Sequence, residues 1–122
     1  MNKNYNCYFE LTLDVVGGKW KPIILYYIGS REYIRFSELK HSIPNINERM
    51  LTRQLRELEA SKIINRKSYN VVPPRVEYSL PEIGKELIPL LEQFKNWGIK
   101  YNKLYNIHTF EMEKNCSVIY DK

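Results

Sequence analysis

The chain has 122 residues, 43% apolar and 27% charged, with a formal net charge of +5. This is the size of one domain, able to bury about two-thirds of its unfolded surface without a disulfide or metal, and the composition argues against disorder. The longest nearly uncharged apolar run, residues 22–29, is far short of the ~20 residues of a membrane helix, and residues 1–7 have no apolar signal segment. The expectation is a cytoplasmic, single-domain protein without a membrane partner.

In chain order, Phe9, Leu11, Leu13 and Val15 alternate with Glu10, Thr12 and Asp14, which is the period of a strand. Gly17-Gly18 breaks the chain. Trp20, Ile23, Ile24, Tyr27 and Ile28 then recur at helical spacing, with Pro22 tolerable only in the first turn and Gly29 as the stop. Phe36, Leu39, Lys40 and Ile43 predict a short helix ended by Pro44. A helix from about Asn47 to Ser61 follows. Asn47 is its N-cap, Ile46 and Leu51 are spaced as a hydrophobic staple, and Leu51, Leu55 and Leu58 form its core stripe. Arg49, Thr52, Arg53 and Arg56 gather on another face.

Residues 63–69 and 76–80 read as two strands joined by Asn70-Val71-Val72-Pro73-Pro74-Arg75, a hairpin whose prolines belong at the turn. From Pro81 a long amphipathic helix carries Ile83, Leu87, Leu90, Leu91, Phe94, Trp97, Tyr101 and Leu104. Pro89 and Gly98 are expected to bend or break it. The tail from Asn106 has weak periodicity.

The charge is unevenly placed. Between Lys19 and Arg75 there are 12 basic and 5 acidic residues, whereas residues 81–122 hold 6 of each. A local excess of this kind suits a polyanion. Cys7 and Cys116 lie at opposite ends, away from His41 and His108 and without a CxxC, so no metal site and no cofactor are expected. No glycine-rich phosphate loop, nucleophile elbow or HExxH motif is present, which argues against an enzyme.

The order helix, short helix, turn, Arg-rich helix, hairpin is that of a winged helix-turn-helix, an α+β, mainly helical fold. A helix with one leucine face and one face of Arg and Thr can rest on a core while presenting the other to the DNA major groove, where Arg donates two hydrogen bonds to guanine. Arg66, Lys67 and Arg75 of the hairpin would meet phosphates or the minor groove. The competing interpretation is a solvated Arg face paired to Glu48, Glu57 and Glu59. A winged-helix module that binds protein instead of DNA would carry apolar anchors where this face carries arginines.

These residues also carry a family resemblance. Cys7, Gly17-Gly18-Lys19-Trp20, Arg35-Phe36-Ser37-Glu38-Leu39, the run from Leu51 to Glu59, Val72-Pro73-Pro74-Arg75-Val76-Glu77-Tyr78-Ser79-Leu80, Gly84 and Trp97-Gly98 resemble the HxlR-type family of bacterial winged helix-turn-helix transcriptional regulators, relatives of the MarR type. The resemblance spans about Cys7 to Tyr101. It implies a helix, not a strand, over residues 9–16. It also implies a homodimer on a palindromic double-stranded DNA operator, regulating its own or a neighbouring gene.

The layout would be an N-terminal helix and winged core over residues 8–80, dimerisation helices over 81–105 and a tail over 106–122. The expected DNA-contact set is Arg35, Ser37, Asn47, Arg49, Thr52, Arg53, Arg56, Arg66, Lys67 and Arg75. The expected dimer contacts are Phe9, Phe94, Trp97, Tyr101 and Leu104. An aromatic stripe longer than one small core can cover points the same way.

In family members that sense electrophiles or oxidants, the cysteine matching Cys7 is the sensor; the alternative is a small residue that never reacts. Cys116 is its candidate partner across opposite chains, a bridge needing Cα atoms within ~7 Å and transient in a reducing cytosol. A non-covalent inducer is the other route to regulation. Two departures stand out. Pro81 replaces the family's capping Thr and is expected at the first helical position, and Val71 stands at the wing tip where an acidic residue is common.

Overall fold

The computed structural model describes residues 4–107. The elements run α1 (Tyr8–Val16), α2 (Trp20–Gly29), β1 (Ile34–Arg35), α3 (Phe36–Ser42), α4 (Glu48–Ala60), β2 (Asn65–Tyr69), β3 (Arg75–Ser79), α5 (Glu82–Lys85) and α6 (Ile88–Tyr105). The three strands form one antiparallel sheet in the order β1-β3-β2. The winged helix-turn-helix is present: α3 and α4 are the two helices, and β2 and β3 are the wing.

The alternating segment is a helix, as the family resemblance implies. A short strand must find a partner edge for its backbone groups, whereas a helix satisfies them internally. Only Val15 and Val16 of α1 pack against the core. The Tyr5 hydroxyl donates to Asp14 Oδ2 at 2.6 Å, and the Thr12 hydroxyl donates to the Tyr8 carbonyl at 3.1 Å.

In α2, Pro22 falls in the first turn, where its missing N–H breaks no helical bond. The core is built from Ile24, Leu25 and Ile28 of α2, Ile34, Leu39, Ile43, Ile46, the α4 leucines, Ile63, Ile64, Tyr78 and Leu80. Gly29 lets α6 approach, because a Cβ there would collide with the Ile88 side chain.

Both ends of α4 are closed by defined motifs. The Asn47 side chain accepts from the Met50 N–H at 2.8 Å, and Ile46 and Leu51 are both buried, as the staple requires. At the other end Lys62 adopts a left-handed conformation, with φ 66°. Its N–H donates to the Glu59 carbonyl at 2.9 Å, and the Ile63 N–H donates to the Leu58 carbonyl at 3.2 Å. This is a Schellman closure with its apolar contact, Ile63 against Leu58, in the core.

Two expectations need correction, at Gly98 and at Pro81, and one strand was not expected. The sequence pattern showed no strand at Ile34–Arg35, because two residues are too few to express a period. The C-terminal helix is broken ahead of Pro89, as expected: α5 ends at Lys85, whose carbonyl Pro89 has no N–H to serve, Leu87 is the N-cap residue of α6, and Pro89 lies in the first turn of the new helix. Gly98 causes no break, since α6 is continuous through it. Pro81 is the N-cap of α5 and not its first helical residue, and it offers no side-chain cap. Asn106 ends α6 with φ 49°; the tail from residue 108, including His108 and Cys116, lies outside the described residues.

Lys62 bears a side chain where the backbone favours glycine, and it is exposed. Lys62→Gly should therefore stabilise the chain by about 0.5–1 kcal/mol in urea unfolding. An unchanged or lower midpoint would show that the left-handed closure costs nothing here.

Candidate nucleic-acid interface

With Leu51, Leu55 and Leu58 buried, the opposite side of α4 faces out. Arg49, Arg53 and Arg56 are exposed and Thr52 is half-buried. Together with Asn47 they line one shallow groove. Among the described residues, no carboxylate lies within ion-pair distance of these three arginines. Arg53 Nη2 instead lies 3.2 Å from the Met50 sulfur.

Glu57, expected as a possible Arg partner, is taken by Lys21 of α2 at 2.8 Å. The Lys21 hydrogen bond holds the Glu57 carboxyl below its ordinary value. The pair tethers α4 to α2 beside the Arg face; Arg53 also acts on Glu57 electrostatically, and Glu48 lines the same groove as the arginines, without an ion pair in either case.

The wing carries a second basic group. Residues directly opposite across antiparallel strands share a face, and neighbours along a strand do not. Arg35 of β1 and Lys67 of β2 both stand opposite Glu77 of β3, and Tyr69 stands opposite Arg75. Arg35, Glu77, Lys67, Tyr69 and Arg75 therefore share one face of the sheet. Arg66 stands opposite Tyr78, on the face that carries Ile34 and the core. The structure thus separates Arg66 from Lys67 and Arg75, which the sequence pattern grouped together.

Arg35, Ser37 and Arg75 line a hollow between the start of α3 and the wing tip. The Arg35 backbone N–H donates to Glu38 Oε1 at 2.9 Å, and Arg31 Nη1 donates to Glu38 Oε2 at 3.0 Å. Those bonds, the backbone one foremost, hold the Glu38 carboxyl below its ordinary value and leave the Arg35 guanidinium outside the Glu38 hydrogen bonds.

The expected dimer contacts are all open. Neither α1 nor α6 contains a buried residue. Phe9 is 70% exposed, Phe94 74%, Trp97 64% and Leu104 74%. Trp97 stacks on Tyr101 with ring centroids 4.9 Å apart, and Tyr101 leans on Tyr105 at 5.0 Å. The stripe is therefore not packed on its own domain. Cys7 is the N-cap of α1 and is exposed.

A cleft of about 450 Å³ lies between α2, the α3–α4 turn and α6, lined by Trp20, Ile23, Tyr26, Tyr27, Ile43 and Phe94 among others. Among the described residues, no group of three or more His, Cys, Asp or Glu is placed to hold a metal, and no helix is long and apolar enough to cross a membrane.

Helix-turn-helix, wing and two basic surfaces define a winged helix-turn-helix protein of the transcriptional-regulator class. Residues 15–105 match the model of the HxlR-like helix-turn-helix family, and the chain belongs to that family. It is 48% identical over 121 residues to the HTH-type transcriptional regulator YtcD of Bacillus subtilis (strain 168), spanning 98% of this chain and 94% of YtcD. Among solved structures it is similar to the redox regulator HypR. The oxidised form gives 51% identity and a TM-score of 0.72 over 77% of this chain and 96% of that one; the reduced form gives 46% and 0.76 over 84% and 100%. A MarR-family regulator of Porphyromonas gingivalis W83 gives 35% identity and a TM-score of 0.74 over 81% and 96%.

Glu77 and Tyr69 are functional candidates that the sequence pattern did not single out. The signal available was the Tyr69, Arg75 and Glu77 alternation, which acquires meaning only once the register is known.

Half of the Glu57 side chain is in solvent, so its pair with Lys21 is worth about 0.5 kcal/mol. Its carboxyl is lowered in the fold, so this contribution is complete above the ordinary carboxylate range and disappears as pH falls through the lowered value. Glu57→Gln should cost that amount at neutral pH and nothing well below the carboxylate range. Urea unfolding at the two pH values checks it; an equal cost at both would remove the ion pair as the cause.

Proposed function

We propose that the chain is a sequence-specific DNA-binding repressor that acts in the cytoplasm as a homodimer on a palindromic operator. The observation that carries this reading is the outward face of α4, where Arg49, Arg53 and Arg56 are exposed opposite a buried leucine stripe and, among the described residues, form no ion pair with a carboxylate. In the bound state Arg49, Thr52, Arg53 and Arg56 read base edges in the major groove. Arg35, Ser37, Asn47, Lys67 and Arg75 meet the backbone, with Arg66 reaching it from the other side of the wing. The exposed aromatic stripe of α6 and Phe9 of α1 form the dimer contact. This arrangement sets the two recognition helices ~34 Å apart on one side of the duplex.

Purified protein should bind its own upstream region more tightly than random DNA, with affinity falling steeply as salt rises. Arg53→Ala should weaken binding and flatten the sequence preference. Lys67→Ala should weaken binding evenly and reduce the salt slope by about one. Equal affinity for operator and random DNA would overturn the reading; full discrimination by Arg53→Ala would remove that residue from the base-reading set.

The reading extends to regulation through Cys7, whose exposed thiol sits at the start of α1, beside the proposed dimer contact. Similarity to HypR, itself a redox regulator, supports the same view. Oxidation by diamide should release the operator from the wild-type dimer but not from Cys7→Ser. Release that persists in Cys7→Ser excludes Cys7 as the sensor; for regulation by a non-covalent effector instead, the cleft beside Trp20 and Phe94 is the available site.

A further inference from the structure

Glu77 is out of place on a surface that meets phosphate. It is a carboxylate at the centre of the wing's charged face and is only 9% exposed. Its Oε1 accepts from the Tyr69 hydroxyl at 2.8 Å, and its Oε2 lies 3.8 Å from Arg75 Nε. That Nε is buried and has no hydrogen-bond partner of its own. The Tyr69 ring in turn carries two cations, with Arg75 Cζ 4.4 Å and Lys67 Nζ 5.0 Å from its centroid. Arg35 flanks Glu77 from the other strand.

Two cations sharing one ring repel each other, and a free carboxylate beside DNA repels phosphate. Both costs fall if the carboxylate sits among the cations, held by a charge-assisted hydrogen bond to the ring that carries them.

We propose that Glu77 is the positioning residue of the wing: by fixing the Tyr69 hydroxyl and neutralising the approach of Arg75 and Lys67 to the same ring, it holds both cations in the geometry that meets the DNA backbone. The proposal rests on the DNA-binding reading above and makes an opposite prediction to simple charge counting. If Glu77 acts only as a negative charge near phosphate, removing it tightens binding. As a positioning residue, its removal loosens binding.

The test uses the full chain, with operator affinity measured across a salt series, melting temperature, and the NMR signal of the Arg75 side-chain Nε–H in the protein without DNA. Glu77→Ala should weaken operator binding about 3- to 30-fold despite the lost negative charge. Glu77→Gln, which keeps an acceptor for the Tyr69 hydroxyl, should recover part of that loss. Tyr69→Phe, which keeps the ring and changes no charge, should weaken binding several-fold, and in Tyr69→Phe and Glu77→Ala the Arg75 signal should shift towards that of a solvent-exposed arginine.

Binding by Glu77→Ala or Tyr69→Phe at wild-type strength or tighter overturns the proposal. So does a loss in Glu77→Ala that Glu77→Gln does not relieve and that tracks a fall in melting temperature, which marks a merely structural role. A wild-type protein that does not distinguish operator from random DNA overturns the DNA-binding reading, and with it any role of Glu77 in operator contact. The Arg75 signal separates that outcome from a failure of the positioning itself.

Discussion

The burial of the α4 leucine stripe is the constraint on which everything outward-facing depends. Leu51, Leu55 and Leu58 lie in the core, and a helix has only one rotation about its axis that puts all three there. That rotation sends Arg49, Arg53 and Arg56 to solvent. The Asn47 cap and the Schellman closure at Lys62 fix where the helix starts and stops, so the arginines are set in height as well as in azimuth. The Lys21–Glu57 pair adds a lateral tie to α2 and directs the Glu57 ion pair to that helix, not to the arginines.

The wing is joined to this body by a strand of two residues and by Tyr78 and Val76 of β3, which pack on the core. Ile34 pairs with Tyr78, and Arg35 with Glu77, before the chain turns directly into α3. The first helix of the helix-turn-helix and the central strand of the wing are thereby held by the same ladder. The alternation of strand side chains then sorts the charges. Ile34 and Tyr78 go to the core, while Arg35, Lys67, Tyr69, Arg75 and Glu77 gather on the other face. Arg66, next to Lys67 in sequence, lands on the opposite side.

The outer helices follow a different logic. Neither α1 nor α6 buries a residue, and together they expose Phe9, Phe94, Trp97 and Leu104. A solitary small domain rarely leaves so much aromatic surface open. The part of the sequence that carries α6 is electrically balanced, with 6 basic and 6 acidic residues over residues 81–122. Most of the positive excess therefore precedes residue 81, on the helix-turn-helix and the wing, while α6 itself carries Lys95, Lys100 and Lys103 against Glu92.

What the sequence by itself determined was whatever depends on local periodicity and local caps. The leucine and arginine faces of α4, its Asn47 start, the Pro22 turn of α2 and the two strands of the hairpin all rest on interactions within a few residues, and they are written in the spacing of those residues. The segment over Phe9–Val16 shows the limit, since its alternation pointed to a strand and only the family resemblance pointed to the helix that is there. Tertiary structure alone decided the strand β1, the separation of Arg66 from Lys67 and the placement of Glu77 between Arg35, Lys67 and Arg75. Each of these is a matter of pairing between segments tens of residues apart. A strand of two residues has no period to read, and the face on which a wing residue stands is settled by the register of its partner strand.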